Sequence, residues 1–521
     1  ADAAAELIAG KGARARMHLE KAKVILAADS DFLGFETDAV RHARAWSQNR
    51  KVENPKSEMS RVYVAEPHLT GTGTMADHRL RIRSSQAGDL LLAVAAELRK
   101  NHGSAIDVPS GADGLLGQPA QLDLDEYGKK FVAVVAKDLA ENAGKSAVVV
   151  GDRQPAWVHG LAFALNAALR NQGSALRWRV DADAVEAGGL ADLAKGLESG
   201  QVSTVICLDT NPAYEAAGAL GMEGLLAKAN VVHAGAYRDE TGKLAKLHLP
   251  VSHYLEAWGD LQSSDGTLTL QQPMIAPLHD TFSVLELLNL VATGNFVDGY
   301  SLLKGHWQAA AGSSFSDRSW RRWLHDGVVT GVPRPPQQPD VSGWGKVAGA
   351  MKGRATPGAW EVDVRLCPKV HDGRFSNNGW AQELPHPMTK LTWDNAACLS
   401  ASTAQELGVK NGDMVQVSLE GGGSVELPVW IAPGQAPKVV TVNLGYGRKE
   451  LGTVAEGAGF DVRPLQGGQN PWFGPGNVSS AGGSYELVST QDYGTMKPPT
   501  YMGMDYPERP LVLEATREEF A

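Results

Sequence analysis

Between Lys23 and Ser252 short apolar runs alternate with amphipathic helical stretches, and no other feature limits the possible fold so strongly. KVILAAD and RVYVAE read as strands on either side of a helical stretch over residues 35–47. The helix GDLLLAVAAELRK follows, with Asp89 as its N-cap and residues 101–103 as its stop. After a Gly-, Pro- and Asp-rich connection over 105–123, the alternation resumes: helix 126–143, strand SAVVVGD, helix 156–171 closed by Gly173, strand LRWRV. It repeats with helix 190–199, strand VSTVICLD, a helix through 225–229, and the strands NVVHAG and HLPVS. Strands joined by helices at this spacing require right-handed crossovers and parallel sheets.

The expected fold class is therefore α/β, with a first α/β region at 1–105 and a second, Rossmann-like one at 124–335. From Pro333 the pattern changes. PRPPQQPD leads into short strands, KLTWD, DMVQVSLE, SVELPVWI and KVVTVNLGYG, which predict a mostly β domain over 336–469. Residues 470–521 are rich in Gly, Pro and Ser, and KPPTYMGMDYPERP cannot form a helix interior, so an extended C-terminal arm is expected there. A chain of 521 residues has room for three or four such units at about 150 residues each.

Charge and cysteine usage remove whole classes of function. A net charge of -10 opposes phosphate neutralisation, so no nucleic-acid partner is expected. No apolar stretch approaches the ~20 residues that span a bilayer. The opening ADAAAELIAG lacks the basic and apolar regions of a secretory signal, so an export signal is expected to have been removed or to lie elsewhere. Cys207, Cys367 and Cys398 are too few and too far apart to ligate a four-thiolate iron-sulfur cluster and read as core residues.

Several residues could carry chemistry. GTGTMA at 71–76 has the GxGxxA form of a dinucleotide loop, but a strand-like DHRLRIR follows where a helix is needed, so it reads as a connection. Asp209, Asn211 and Pro212 end a strand, at the carboxyl edge where doubly wound sheets bind ligands, although all three are also good turn residues. His253 and Glu256, with Trp258, Asp260 and Asp265 nearby, could serve acid-base work or simply form a loop network. His248, His253 and His279 lack zinc spacing, and no GxSxG, HExxH or P-loop is present. No catalytic residue and no metal ligand is assigned; Asp209, Asn211, His253, Glu256 and Asp265 are kept as candidates for a vestigial pocket.

The stretch LPVSHYLEAWGDLQSSDGTLTLQQPMIAPLHDT at 249–281 closely resembles the large iron-sulfur subunit of alternative complex III, a quinol-oxidising assembly. RFSNNGWAQELPHPMTKLTWDNAACLSASTAQELGVKNGDMVQV from Arg374, LPVWIAPGQAPKVVTVNLGYGR, and the upstream VILAADSDFLGFETDAVRHARAW extend the likeness over most of residues 21–500. More distantly the chain looks like the catalytic subunits of molybdopterin oxidoreductases, whose barrel, of double-psi type, has the same DxAxxLGVxxGDxV style of sequence. Here Ser402 stands in its Asp position. The resemblance thus implies a molybdopterin-oxidoreductase-like fold, with the β domain at 336–469 a β-barrel.

What the resemblance implies for function turns on departures from those relatives. The iron-sulfur cysteines that precede the first strand in the catalytic subunits are absent from residues 1–22. Asp209, Thr210, Asn211 and Pro212 keep part of a glycine-asparagine-proline cofactor turn, and RSSQ at 83–86 replaces a Pro-Gly-Thr-Asp loop. The expectation is a subunit of an oxidoreductase complex that holds no cofactor and is not itself catalytic. It would be a scaffold on the periplasmic side of the bacterial inner membrane. Expected partners are a ferredoxin-like iron-sulfur half, multihaem and monohaem cytochrome c subunits, and integral membrane quinol-binding subunits, with the iron-sulfur clusters and c-type haems in those partners. The chain stops before any cysteine-rich motif, so a split gene or the first half of a longer product is expected. One alternative is an active molybdenum or tungsten oxidoreductase, and a second is a periplasmic small-molecule binding protein.

Overall fold

The computed structural model describes the chain apart from residues 52–58, 182–187, 264, 333–338, 352–353, 355–357, 491–513 and 521. The proline-rich PRPPQQPD and the KPPTYMGMDYPERP segment lie largely or wholly outside the described residues.

The first strand is β1 (Ala13–Met17), ahead of the expected one. Its alternating arginines hide the usual apolar signal, because it is a half-buried ribbon strand. The apolar runs form β2 (Val24–Ala28), β3 (Arg61–Glu66) and β5 (Ser146–Val150), with the short polar β4 (His78–Arg81) at an edge. These four make a parallel sheet in the order β4-β3-β2-β5. SAVVV thus joins the first sheet and not a second region, since an all-apolar strand needs cover on both faces and β2 offers a central partner. Leu26, Tyr63 and Val148 face the helices Ala87–Asn101, Glu126–Glu141 and Ala156–Ala168, while Ile25, Val62 and Val149 face a second cluster around Phe32 and Trp46. Asp89 is not the N-cap of its helix. It sits inside the first turn, buried, accepts a hydrogen bond from the Gln121 N–H and pairs with Arg354.

β6 (Leu176–Val180) pairs antiparallel with β1. A smaller parallel sheet follows, β7 (Thr204–Leu208), β8 (Asn230–Gly235) and β9 (Leu247–Pro250), in sequence order. The hairpin β10 (Gly259–Gln262) and β11 (Leu268–Gln271) and three helices then surround the buried Trp307, Trp320 and Trp323.

Six strands close a barrel: β12 (Trp360–Arg365), β13 (Ala397–Leu399), β14 (Asp413–Leu419), β15 (Ser424–Ile431), β16 (Val439–Asn443) and β17 (Phe473–Ser484), ordered β12-β16-β13-β15-β14-β17. KLTWD is not a strand; Leu391 makes only an isolated bridge to Ser489. The start of the expected arm is instead β17, whose pairing to both β12 and β14 closes the barrel. Glycine and serine are poor strand formers, but Gly476 lies so close to Ser418 O (2.3 Å from a built Cβ) that a side chain is excluded.

The two parallel sheets carry the same rim. Asp29 follows β2 and Asp209 follows β7, both with positive φ (48° and 52°), and their N–H groups bond Ala65 O and Ala234 O at 2.7 Å. Two residues on, Asp31 Oδ1 accepts from Thr72 N and Oγ1 (both 2.8 Å), as Asn211 Oδ1 accepts from Thr241 N and Oγ1 (3.1 and 2.7 Å). Thr70 caps the turn Gly71–Thr74 through Gly73 N, as Asp239 caps Glu240–Leu244 through Gly242 N.

Candidate functional site

The first sheet reverses strand order between β2 and β5, and such switch points are where open parallel sheets bind ligands. The barrel docks here through buried charge. Arg153 donates to Asp29 (2.8 Å) and Asp363 (2.6 Å), and Arg365 donates to the same two carboxylates at 3.1 and 2.7 Å. Gln154 adds a 2.7 Å bond to Asp29, and Thr441 one of 3.0 Å to Asp363. Two guanidiniums thus meet two carboxylates, and the cluster is charge-balanced. Burial alone would raise the Asp363 pKa, yet Arg153 and Arg365 hold it well below the usual carboxylate range. Arg365 is raised despite burial, because Asp363 and Asp29 flank it.

Beside this cluster a cleft of about 390 Å³ separates the strand ends from the barrel, within the range of small-molecule sites. Asp31, Phe35, His68 and Thr70 line it from the sheet, and Arg365, His386, Asn443 and Trp472 from the barrel side. The two histidines are held in defined tautomers. Gln435 donates from Nε2 to the Cys398 and Val439 carbonyls, so its Oε1 (3.1 Å) must accept from His68 Nδ1–H, leaving His68 Nε2 as an acceptor. His386 Nδ1 accepts from Met388 N and Thr389 N (3.2 and 3.3 Å), so its Nε2 carries the proton. Burial, reinforced by Arg365, lowers His68 to about 4, and burial, reinforced by His68, lowers His386 to about 3, so both rings are neutral at pH 7. Asn443 spends its amide on one 3.3 Å bond to Leu366 O. The cleft is therefore lined by an acceptor, a donor and an amide, with Phe35 and Trp472 as its aromatic lining.

The glycines of GTGTMA answer a packing need. A Cβ on Gly73 would lie 1.8 Å from Glu66 Oε1, so the glycine makes room for a buried carboxylate bonded to Thr70 (2.6 Å) and Arg79 (2.6 Å). The loop forms a single helical turn before β4, and its N–H groups at Thr72 and Gly73 are taken by Asp31 and Thr70.

The sequence candidates separate into local roles. Asn211 is buried and donates to Glu240 (2.8 Å), which pairs with Arg448 of the barrel at 2.6 Å. Asp209 lies exposed at the end of β7. His253 and Glu256 cap one turn: His253 Nδ1 accepts from Leu255 N, and Glu256, lowered by the N–H groups of Leu278 and His253, accepts from both. Asp265 closes a separate turn with Ser263 and Thr267, which lower it to about 2. Among the described residues no hydrogen bond joins these three to Asp209 or Asn211. Sequence reasoning missed Asp29, Asp31, His68, Arg153, Arg365 and His386. Two signals were available: D-x-[DN] after two strands, at 29–31 and 209–211, and [TD]-x-T-G at 70–73 and 239–242.

With the sheets, barrel and cleft in place, the architecture is the molybdopterin-oxidoreductase fold, with mixed α/β units on parallel sheets and a closed six-stranded barrel. Residues 374–464, most of that barrel, match the molydopterin dinucleotide binding domain. Among solved structures the chain is similar to acetylene hydratase from Pelobacter acetylenicus, with a TM-score of 0.63 and 12% identity over 92% of this chain and 80% of that one. No curated protein matches the sequence. The expectation that this chain has no cofactor of its own is overturned by the domain match, which points to a molybdopterin cofactor. The altered turn at 209–212 and the loop at 83–86 lie outside the matched residues, so their departures do not bear on that match.

Proposed function

We propose that the chain is the molybdopterin-binding part of a molybdenum or tungsten oxidoreductase, with the pterin ring in the cleft between the first sheet and the barrel. One observation carries this reading: the match at 374–464 supplies His386 and Asn443 to a 390 Å³ cleft whose other wall presents the opposite hydrogen-bonding sense at His68 Nε2. A pterin alternates donors and acceptors around a flat ring, so His68, His386 and Asn443 fit its rim, and Phe35 and Trp472 fit its faces. The cations that line the cleft, and that would meet the group's phosphate there, are Arg153 and Arg365, both paired with Asp29 and Asp363. Phosphate binding there would exchange one anion for another. When bound, the group supplies a metal centre that exchanges electrons with substrate; the chain's part is to orient the ring and keep two neutral imidazoles beside it. The test is acid oxidation of chain purified from cells given molybdate or tungstate. A fluorescent pterin is expected at about one per chain, and its absence with both metals would remove the reading.

We also propose that the chain works inside a membrane-associated electron-transfer assembly of the quinol-oxidising type, on the periplasmic side, docked to iron-sulfur and cytochrome c subunits. Support comes from the substructure after β9, which leaves Leu261, Met274, Leu278, Val291 and Phe296 more than half exposed. Phe282 and Phe296 stack edge to face there, 6.0 Å apart, and Met274 and Ile275 both bond Leu255 O. Among the described residues no helix is long and apolar enough to cross a membrane. Capture from solubilised membranes with haem staining tests this; a chain recovered without any haem protein would count against it.

A further inference from the structure

Residues 247–303 contain no lysine or arginine but six acids, Glu256, Asp260, Asp265, Asp280, Glu286 and Asp298. They also hold two strongly apolar segments, MIAPL at 274–278 and VLELLNLVAT at 284–293. The fold buries neither. All five residues of MIAPL are exposed, Met274 at 76% and Leu278 at 74%, and of the helix Val284–Thr293 Leu287 alone is buried. Leu288, Val291 and Ala292, spaced i, i+3 and i+4, share an exposed face of that helix.

These segments form one surface, because the strip 252–256 ties them together. Leu255 O accepts from Met274 N (2.7 Å) and Ile275 N (3.2 Å), Glu256 Oε1 accepts from Leu278 N (2.9 Å), and Ser252 N donates to Phe282 O (2.9 Å). Phe282 in turn meets Phe296 edge to face. The backbone is thus fixed in advance, and the apolar side chains are presented on a preformed face. Each large apolar side chain gains about 1.5–3 kcal/mol on full burial, so a contiguous set left in water marks a contact surface.

The charge at its edge says what covers it. Glu256 holds the Leu278 N–H, exposed Asp280 lies two residues beyond Leu278, and exposed Asp298 lies two beyond Phe296, capping the helix Gly299–Ala311 through Ser301 N. A second copy laid face to face on this surface would set the acids against themselves, and an anionic lipid surface would be repelled as well. Basic side chains meet neither penalty.

We propose that the surface formed by residues 274–278, 282, 288, 291 and 296 docks a protein partner whose own apolar face is edged by lysine or arginine. The apolar centre supplies affinity, and the acids set orientation and the rate of encounter. The docking role rests on the reading of the chain as one subunit of an assembly, and adds which face docks and what chemistry lies opposite it.

Two labelled amphipathic helical peptides, one of leucine and lysine and one of leucine and glutamate, probe this face on the 521-residue chain by fluorescence anisotropy. The lysine peptide is expected to bind one to one, at least about tenfold more tightly than the glutamate peptide, and to weaken with added salt. Asp280→Lys should weaken it at least about threefold, and Met274→Gln combined with Val291→Gln at least about tenfold. These side chains are exposed, and an unchanged thermal midpoint checks that each variant folds. Equal affinity for the two peptides, binding of both weaker than about 1 mM, or an affinity untouched by the substitutions overturns the proposal. So does a doubled mass in light scattering that Val291→Gln returns to one chain, which gives the face to a second copy, or retention on phosphatidylcholine vesicles through the same residues. Capture from solubilised membranes tells the two failures apart. Haem proteins recovered with a chain that fails the peptide test leave the assembly standing and remove this docking face; peptide binding as expected with no haem protein recovered does the reverse.

Discussion

Asp31 and Asn211 hold the same position in two different sheets, each accepting two hydrogen bonds from the N–H and hydroxyl of one threonine, Thr72 or Thr241. They differ in one respect that decides how the barrel meets each rim. Asn211 also donates, to Glu240, and Glu240 grips Arg448, whose guanidinium lies 4.0 Å from the Tyr214 ring centroid. A carboxylate cannot donate at pH 7. The Asp31 side chain therefore recruits no acid as Asn211 recruits Glu240; only its backbone N–H holds one, Glu36 at 2.9 Å, and that side stays open as the cleft.

This difference is measurable by exchanging the two residues. Asn211→Asp loses the donor and sets a negative charge against Glu240 in a buried site, so it should cost about 2–4 kcal/mol. Asp31→Asn keeps the acceptor and should cost under about 1 kcal/mol. Urea unfolding midpoints compare them directly, and equal losses would mean that the rims are not held as described.

The matched glycines give a second asymmetry. Gly73→Ala drives a Cβ into the Glu66 carboxylate, against a 1.8 Å approach, whereas a Cβ on Gly242 meets His233 Nδ1 at 3.0 Å. Gly73→Ala should cost about 2–3 kcal/mol more than Gly242→Ala, since Glu66 is fixed by Thr70 and Arg79 and His233 can shift slightly. Thermal unfolding of the two variants reads the order, and a reversal would show that Glu66 moves freely.

The strands and helices were legible because burial is written in the sequence: VILAA, VYVA and AVVV are apolar throughout, and each is a buried parallel strand. Which sheet each strand joins was not legible. SAVVV follows the connection at 105–123 and looks like the start of a new unit, yet β2 is its partner, a contact across more than a hundred residues that no local pattern encodes. β1 and β17 were hidden for the reverse reason, being built from arginines and glycines whose strand state comes from pairing. The cleft was not legible, and the one candidate that holds a rim, Asn211, lies outside it. Asn211 stands out by its turn chemistry, but His68, Arg365 and His386 become a site only when the barrel is laid on the sheet.

Acid should weaken the cleft side of the fold, and the sign is fixed by the two histidines. Their folded pKa values, about 4 for His68 and about 3 for His386, lie below the ordinary 6.5. Their contribution is present above about pH 6.5 and is lost as pH falls toward the folded values. Glu36 and Glu361, raised mainly by burial to about 8 and about 7, act oppositely: their contribution is complete below about 4.5 and is lost as pH rises through those values. A single profile mixes both, so the comparison must be with His68→Gln. The stability gap between the unaltered chain and this variant should shift by about 1 kcal/mol against the unaltered chain between pH 7 and 5.5. A constant gap in urea titrations at the two pH values would show that His68 is not buried neutral.

Asn443 gives the cleanest test of the cleft as a pterin site, because its amide is nearly idle in the protein's own hydrogen bonding. Asn443→Leu removes both its donor and its acceptor at similar volume, so the fold should lose less than about 1.5 kcal/mol. A ring held by that amide would face an apolar group and lose about 1–3 kcal/mol of binding, which is tenfold or more in occupancy when the cofactor is limiting. The readout is fluorescent pterin per chain after acid oxidation, with the urea midpoint as the folding control. Unchanged pterin in a folded variant would move the ring away from Asn443. The next place to look would be the second rim, where Asn211 donates to Glu240 and Glu240 pairs with Arg448.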